Sequence, residues 1–212
     1  MELAVEGMLM NGHYEEPAWD WWGFYVEALA SGSTVKMAKT GSPPAVTLEY
    51  STNGGQTWSS FNVDGSTTIT LRKGKRICFR SGSGGNTRFA SGESVYRKFV
   101  FTGSVSIGGN IMSLLSQTEI TEFPGSVTYQ FAYLFANASA LKDVSALLLP
   151  AITLASYCYR GMFINCSSLT TAPALPATTL ASYCYYNMFY GCTSLMTAPE
   201  LPATTLASNC YF

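Results

Sequence analysis

Charge is what this sequence has least of. Charged residues fill 12% of 212 positions, roughly half of the ~25% usual in soluble domains. Solubility therefore rests on Ser, Thr, Asn, Gly and the hydroxyls of Tyr, a style common among extracellular bacterial and virion proteins. Histidine occurs once, as His13, which leaves little material for a Ser/His/Asp system or a histidine-bearing zinc site. Glu15 and Glu16 are adjacent and do not make an acid/base pair. Gly82-Ser83-Gly84-Gly85 lacks the Lys-Ser/Thr context of a phosphate loop. Neither a cofactor nor an enzyme activity is expected. No run approaches the roughly 20 apolar residues of a membrane-crossing helix, so no membrane span is expected either. The start Met1-Glu2-Leu3-Ala4-Val5-Glu6 has no basic region, and two glutamates interrupt what would be the apolar core of a secretory leader.

The few charges are unevenly laid out. Residues 1–22 hold Glu2, Glu6, Glu15, Glu16 and Asp20 and no Lys or Arg. Residues 42–107 hold Arg72, Lys73, Lys75, Arg76, Arg80, Arg88, Arg97 and Lys98 against Glu49, Asp64 and Glu93. No nucleic-acid motif accompanies this basic stretch, so it reads as a solvated strand face and no nucleic-acid partner is expected.

Four segments follow from the pattern. Residues 1–22 form an acidic arm in which Trp19, Trp21 and Trp22 crowd together. An exposed tryptophan cluster is costly unless it docks, on the chain's own next domain or on another subunit. Residues 23–108 read as short strands with turn punctuation: Phe24–Leu29, Ser33–Lys39, Ala45–Ser51, Gln56–Phe61, Thr67–Leu71, Lys75–Arg80 and Tyr96–Ile107. Asn53-Gly54-Gly55 is the clearest hairpin signal among them. Such spacing predicts a small antiparallel β-sandwich. Residues 109–128 are a connector in which Ile111–Leu115 reads as a helical turn.

Residues 129–212 repeat. Leu149-Pro150, Leu175-Pro176 and Leu201-Pro202 are in register at 26 residues, as are Cys158, Cys184 and Cys210, then Met162-Phe163 and Met188-Phe189, then Cys166 and Cys192. A period in the twenties implies stacked supersecondary units. Residues 129–141 resemble 157–169 at an offset of 28 and read as a degenerate first repeat that caps the stack. Within a repeat, Leu180, Cys184, Met188 and Cys192 fall at i, i+4, i+8 and i+12, one stripe of a short helix. Gly191 would end that helix, Ser194–Ala198 suits a strand, and Pro199 and Pro202 force an extended return. The expected fold is therefore mixed: an N-terminal β-sandwich followed by an α/β solenoid of about 26-residue repeats. The sequence stops within a repeat, so more repeats are expected in the natural protein.

Five of the six cysteines sit at repeat-locked positions, which favours buried structural thiols over disulfides or metal. Ser51-Thr52-Asn53-Gly54-Gly55-Gln56-Thr57-Trp58 resembles the Asp-box hairpin of β-propellers, with Asn53 in the Asp position and Trp58 expected to pack inward. The sequons at Asn137 and Asn165 fall in the repeat core and read as coincidental.

Met188-Phe189-Tyr190-Gly191-Cys192-Thr193-Ser194-Leu195 and Met162-Phe163-Ile164-Asn165-Cys166-Ser167-Ser168-Leu169 resemble the BspA-type leucine-rich repeats. Leu-Pro-Ala-Thr-Thr-Leu at 175–180 and 201–206 is similar to a longer-period variant of Bacteroides-group and gut-phage proteins. That resemblance implies a leucine-rich-repeat solenoid, adhesion rather than catalysis, and a protein or glycan partner at a cell surface. The 26-residue period and the missing leader depart from the family's commonest form, and the missing leader argues against export by a bacterium and raises the phage reading. The binding surface expected is the outer helix face, carrying Tyr157, Arg160, Tyr183, Tyr186 and Tyr190. The alternative is a structural phage virion component, a fibre or decoration protein, docking on other virion subunits through the arm. A glycan-active enzyme fragment is the second alternative. Location is extracellular, at a cell surface or on a virion, and an oligomer is compatible with either role.

Overall fold

The structure is a computed structural model that describes residues 9–10, 13–14 and 21–212. A short antiparallel pair, β1 (Leu9–Met10) and β2 (His13–Tyr14), precedes the body. The strands of the body are β3 (Tyr25–Ala28), β4 (Ser33–Thr40), β5 (Leu48–Ser51), β6 (Ser59–Phe61), β7 (Ile69–Leu71), β8 (Arg76–Ser81), β9 (Ala90–Gly92), β10 (Val95–Thr102), β11 (Val105–Asn110) and β12 (Leu141–Leu148). They form a six-stranded sheet, β12-β11-β3-β8-β5-β6, and a four-stranded sheet, β7-β4-β10-β9. All pairs are antiparallel except β11 with β12.

Alternation along the strands builds the core between the sheets. Val35 and Met37 of β4 and Phe99 and Phe101 of β10 are buried. Phe99 meets Phe79 of β8, in the opposite sheet, at 5.2 Å, and Phe24, which directly precedes β3 of that sheet, at 5.3 Å. Residues 96–107, expected as one strand, break into β10 and β11 at Gly103-Ser104 and thereby change sheets. Gly103 has φ +77°, and a Cβ there would come within 2.6 Å of Ser33 Oγ. That hydroxyl donates to the Ser104 carbonyl at 2.9 Å and accepts from the Ser104 amide at 3.1 Å, pinning the corner. The helical turn expected at 111–115 is the 3-10 helix Ile111–Leu114, capped by Asn110, whose side chain accepts from the Met112 amide.

The α/β solenoid expectation is overturned. Among the described residues there is no α-helix, and residues 129–212 contribute one strand, β12. The leucine-rich-repeat unit of helix, strand and return is absent there. The predicted helix is instead a run of tight turns. In the second repeat Cys158, Arg160, Met162, Ile164 and Cys166 each donate to the carbonyl three residues back, at 3.0–3.3 Å. Every fourth residue is left-handed: Tyr129, Tyr133 and Asn137; then Tyr157, Gly161 and Asn165; then Tyr183, Asn187 and Gly191. A four-residue turn period and the 3.6-residue helical period bury the same stripe over three turns, which is why the sequence pattern suggested a helix. Asn and Gly tolerate the left-handed region, and their recurrence every fourth position was the discriminating signal.

The remaining amides join one repeat to the next. Tyr157, Tyr159, Gly161, Phe163 and Asn165 donate to the carbonyls of Ser182, Cys184, Tyr186, Met188 and Tyr190, at 2.7–3.2 Å. Equivalent rings then stack in columns: Phe131, Tyr159, Tyr185 and Tyr211 at 5.7–6.1 Å, and Phe135, Phe163 and Phe189 at 5.5–5.6 Å. Both columns begin in the four-stranded sheet's side of the molecule. Phe89 stacks on Phe131 at 6.0 Å and Phe99 on Phe135 at 5.8 Å, while the amides of Phe89, Phe99 and Val105 donate to Gln130, Leu134 and Ala140. One hydrophobic core therefore runs through both regions.

Candidate binding surface

The left-handed tyrosines form a row on one side of the repeats. Tyr129 and Tyr157 stack at 4.5 Å and 5°, and Tyr157 and Tyr183 at 4.9 Å and 6°. Positive φ is costly for a bulky residue, about 1–3 kcal/mol, unless its surroundings hold it. Here the stacking holds it. The same stacking consumes the ring faces, so the row presents ring edges and hydroxyls. The hydroxyls of Tyr157, Tyr183 and Tyr186 bond no protein group among the described residues.

Arg160 is the hub of this row. The sequence reading put it on an exposed helix face, but with no helix present its residue is 8% exposed. Its guanidinium lies 4.5 Å from the Tyr186 ring centroid and 5.6 and 5.7 Å from those of Tyr157 and Tyr183. Its Nε donates to Tyr133 Oη at 3.0 Å, and its Nη2 pairs with Glu93. Burial acts to lower the Arg160 pKa, but the Tyr133 hydrogen bond and the Glu93 carboxylate outweigh it, so the group stays cationic. Burial pushes the Tyr133 phenol up despite the Arg160 contact. Tyr133 stacks on Tyr96 of β10 at 4.9 Å, and Tyr186 on Phe212 at 5.0 Å. The surface therefore extends from the sandwich across successive repeats.

Of the residues expected here, Tyr157, Arg160, Tyr183 and Tyr186 come together, whereas Tyr190 stands apart, 66% exposed, beside a separate apolar cleft. Glu93, Tyr96, Tyr129 and Tyr133 belong to the surface and were missed. Tyr129 was legible as the register mate of Tyr157. Tyr133 was hidden because its mate is Gly161, where a Cβ would sit 2.5 Å from the Tyr133 ring. The glycine makes room for that ring.

The tryptophans of the arm divide. Trp19 lies outside the described residues. Trp21 meets Trp58 edge-on at 4.7 Å and donates through Nε1 to the Phe24 carbonyl at 3.2 Å. Trp22 accepts the Asn110 amide through its carbonyl at 3.0 Å. Trp21 and Trp22 are thus engaged within the chain. Trp58 is covered on another side by the Arg80 guanidinium, 4.2 Å from its ring centroid. In the Asp-box-like hairpin, Asn53 Oδ1 accepts from the Thr57 amide at 3.0 Å and Nδ2 donates to the Thr57 hydroxyl at 2.8 Å.

The basic stretch is engaged too. Arg76 pairs with Glu27, Arg80 with Glu49 and Arg97 with Asp64, each at 2.7 Å. All six cysteines are buried free thiols. Burial pushes Cys78 and Cys166 up to about 12 and Cys184 and Cys192 up to about 11. Asn137 and Asn165 are exposed rather than in the core, with Asn165 Nδ2 donating to Asn137 Oδ1 at 3.0 Å. Among the described residues no cluster of three His, Cys, Asp or Glu is arranged to hold a metal, and no helix is long and apolar enough to cross a membrane. Compared with family models, curated proteins and solved structures, the chain matches none.

Proposed function

We propose that the protein is a non-enzymatic binding protein, acting at a bacterial cell surface or on a virion, whose recognition face is the tyrosine-edged side of the repeats. The observation that carries this reading is the rigid row Tyr129–Tyr157–Tyr183 fastened from beneath by Arg160. Rigid tyrosines offer amphipathic contact at low entropic cost, as they do in antibody paratopes. The Glu93 carboxylate neutralises Arg160, so the face carries hydroxyls and ring edges without a bare charge. A neutral ligand rich in hydroxyl or amide groups fits that chemistry, either a glycan or a protein backbone.

The test is a glycan array and a cell-surface binding assay with the full chain, beside the double variant Tyr183→Phe, Tyr186→Phe. Removing two hydroxyls leaves the stacking rings in place. Binding that falls at least tenfold while the melting temperature holds supports the reading. Binding that is unchanged in the double variant overturns it.

A further inference from the structure

We propose that the cleft between the connector and the second repeat is a binding site for an amino sugar, a small hydroxyl-rich molecule with a free ammonium group. The cleft encloses about 650 Å³ between residues 122–128 and 152–156, within the range of small-ligand sites. Its one charged group is the Glu122 carboxylate, which pairs with no Lys or Arg among the described residues.

That carboxylate is held in place by the repeats. Between later repeats the amides of Thr178 and Thr179 both donate to the Ile152 carbonyl, at 3.1 and 3.0 Å. Ile152 and Thr153 occupy the same register positions one repeat earlier. Their amides donate instead to Glu122, Ile152 to Oε1 at 3.2 Å and Thr153 to Oε2 at 3.4 Å. A side chain thus does at the first step what a backbone carbonyl does at the next. A neutral carbonyl suffices for that task, so the negative charge is surplus to it. The two amides also use only part of the roughly four lone-pair positions of a carboxylate.

Hydroxyls and an apolar wall complete the lining. The side-chain hydroxyls of Ser126, Thr128, Thr153 and Ser156 bond no protein group among the described residues. Phe123 and Leu154 supply the apolar part. The Phe123 ring is braced by Tyr159 at 5.5 Å and by Phe131 at 6.0 Å, so this wall is formed before any ligand arrives. A carboxylate without a cation favours a cationic donor, the free hydroxyls favour a polyhydroxyl ligand, and the apolar wall suits the C–H face of a sugar ring. An amino sugar carries all three. A neutral sugar leaves the charge unanswered, and a single carboxylate is too few ligands for a calcium ion. This inference is independent of the tyrosine-edged side.

The test titrates the full chain with glucosamine, beside glucose and N-acetylglucosamine, at low salt and about pH 6, where carboxylate and ammonium are both charged. Expected are saturable one-to-one binding of glucosamine, amide NMR shifts at Ile152 and Thr153, and roughly tenfold weaker binding of the two uncharged sugars. Glu122→Gln keeps an oxygen for the backbone amides but removes the charge, and glucosamine binding falls to the level of glucose. A purely structural role for Glu122 would not erase that preference. Where this variant loses stability, Ser126→Ala with Thr128→Val decides, because it spares the carboxylate and should still weaken glucosamine binding severalfold. Tyr183→Phe with Tyr186→Phe leaves it unchanged, which separates this site from the proposed recognition face. Absence of saturable binding, equal binding of the three sugars, or undiminished glucosamine binding in either cleft variant would overturn the proposal.

Discussion

The sandwich and the repeats solve the same problem in different ways. In the sandwich, side chains alternate across strands, the core forms between two sheets, and ion pairs such as Arg80–Glu49 and Arg97–Asp64 dress the strands. In the repeats, alternate amides divide the work: one set closes turns within a repeat, the other reaches the next repeat, and the core is a set of columns whose neighbours lie 28 residues apart at the first step and 26 thereafter. Order in the sandwich is set by register within a sheet. Order in the repeats is inherited from the neighbour, and the first neighbour is the sandwich itself through Phe89, Phe99 and Val105.

Substitution at the junction breaks this dependence most. Phe135 touches Phe24, Phe99 and Phe101 on one side and Phe163 on the other. Phe135→Ala is expected to cost about 4 kcal/mol, and denaturant unfolding followed by tryptophan fluorescence and far-UV circular dichroism should shift both regions together. Next is Gly161→Ala, at φ +56° and facing the Tyr133 ring, with an expected loss of about 2 kcal/mol. Gly84→Ala, where a Cβ meets nothing, is the sandwich control and should leave the melting temperature in place. Arg160→Met removes the link between Glu93 and the tyrosines, with an expected cost of about 1.5 kcal/mol in the same assay.

The thiols sharpen the comparison without a substitution. Burial raises the pKa of Cys78 in the sandwich and of Cys158, Cys166, Cys184 and Cys192 in the repeats, and it puts all six thiols out of reach, so maleimide labelling at neutral pH should be negligible until denaturant unfolds the chain. The smallest effect concerns Asp143 at the seam between β12 and the next repeat. Burial raises its pKa, but hydrogen bonds from Thr171 and Ser145 outweigh this and hold it below the usual range. A carboxyl depressed in the folded state contributes stability above its unfolded pKa of about 4, and that contribution is lost as pH falls through the lower folded value. Asp143→Asn should flatten this acid limb by less than about 1 kcal/mol, given the exposure of the group.

What the sequence revealed tracks where its periods were unambiguous. Turn punctuation located β3 to β8, because signals such as Asn53-Gly54-Gly55 have few alternatives to a tight turn, and Gly32, Gly54, Gly55 and Gly74 all adopt positive φ. The 26-residue register named the residues that stack, Tyr157 with Tyr183 and Cys158 with Cys184. It misjudged their backbone, since Leu180, Cys184, Met188 and Cys192 satisfy a four-residue turn and a helix alike. Arg160 was misplaced for the same reason: its direction was inferred from a helical wheel that does not exist. Glu93 and Tyr96 were illegible, because their partners lie far along the chain and no local pattern links them.

Residue-resolved amide exchange on the full chain tests the ladder most directly. Slow exchange is predicted at Tyr157, Tyr159, Gly161, Phe163 and Asn165, whose acceptors lie in the following repeat, and fast exchange at the exposed amides of Ser83 and Gly84 in the sandwich, which bond no group among the described residues. Equal protection of both groups would contradict a ladder of turns in which each repeat is hydrogen-bonded to the next.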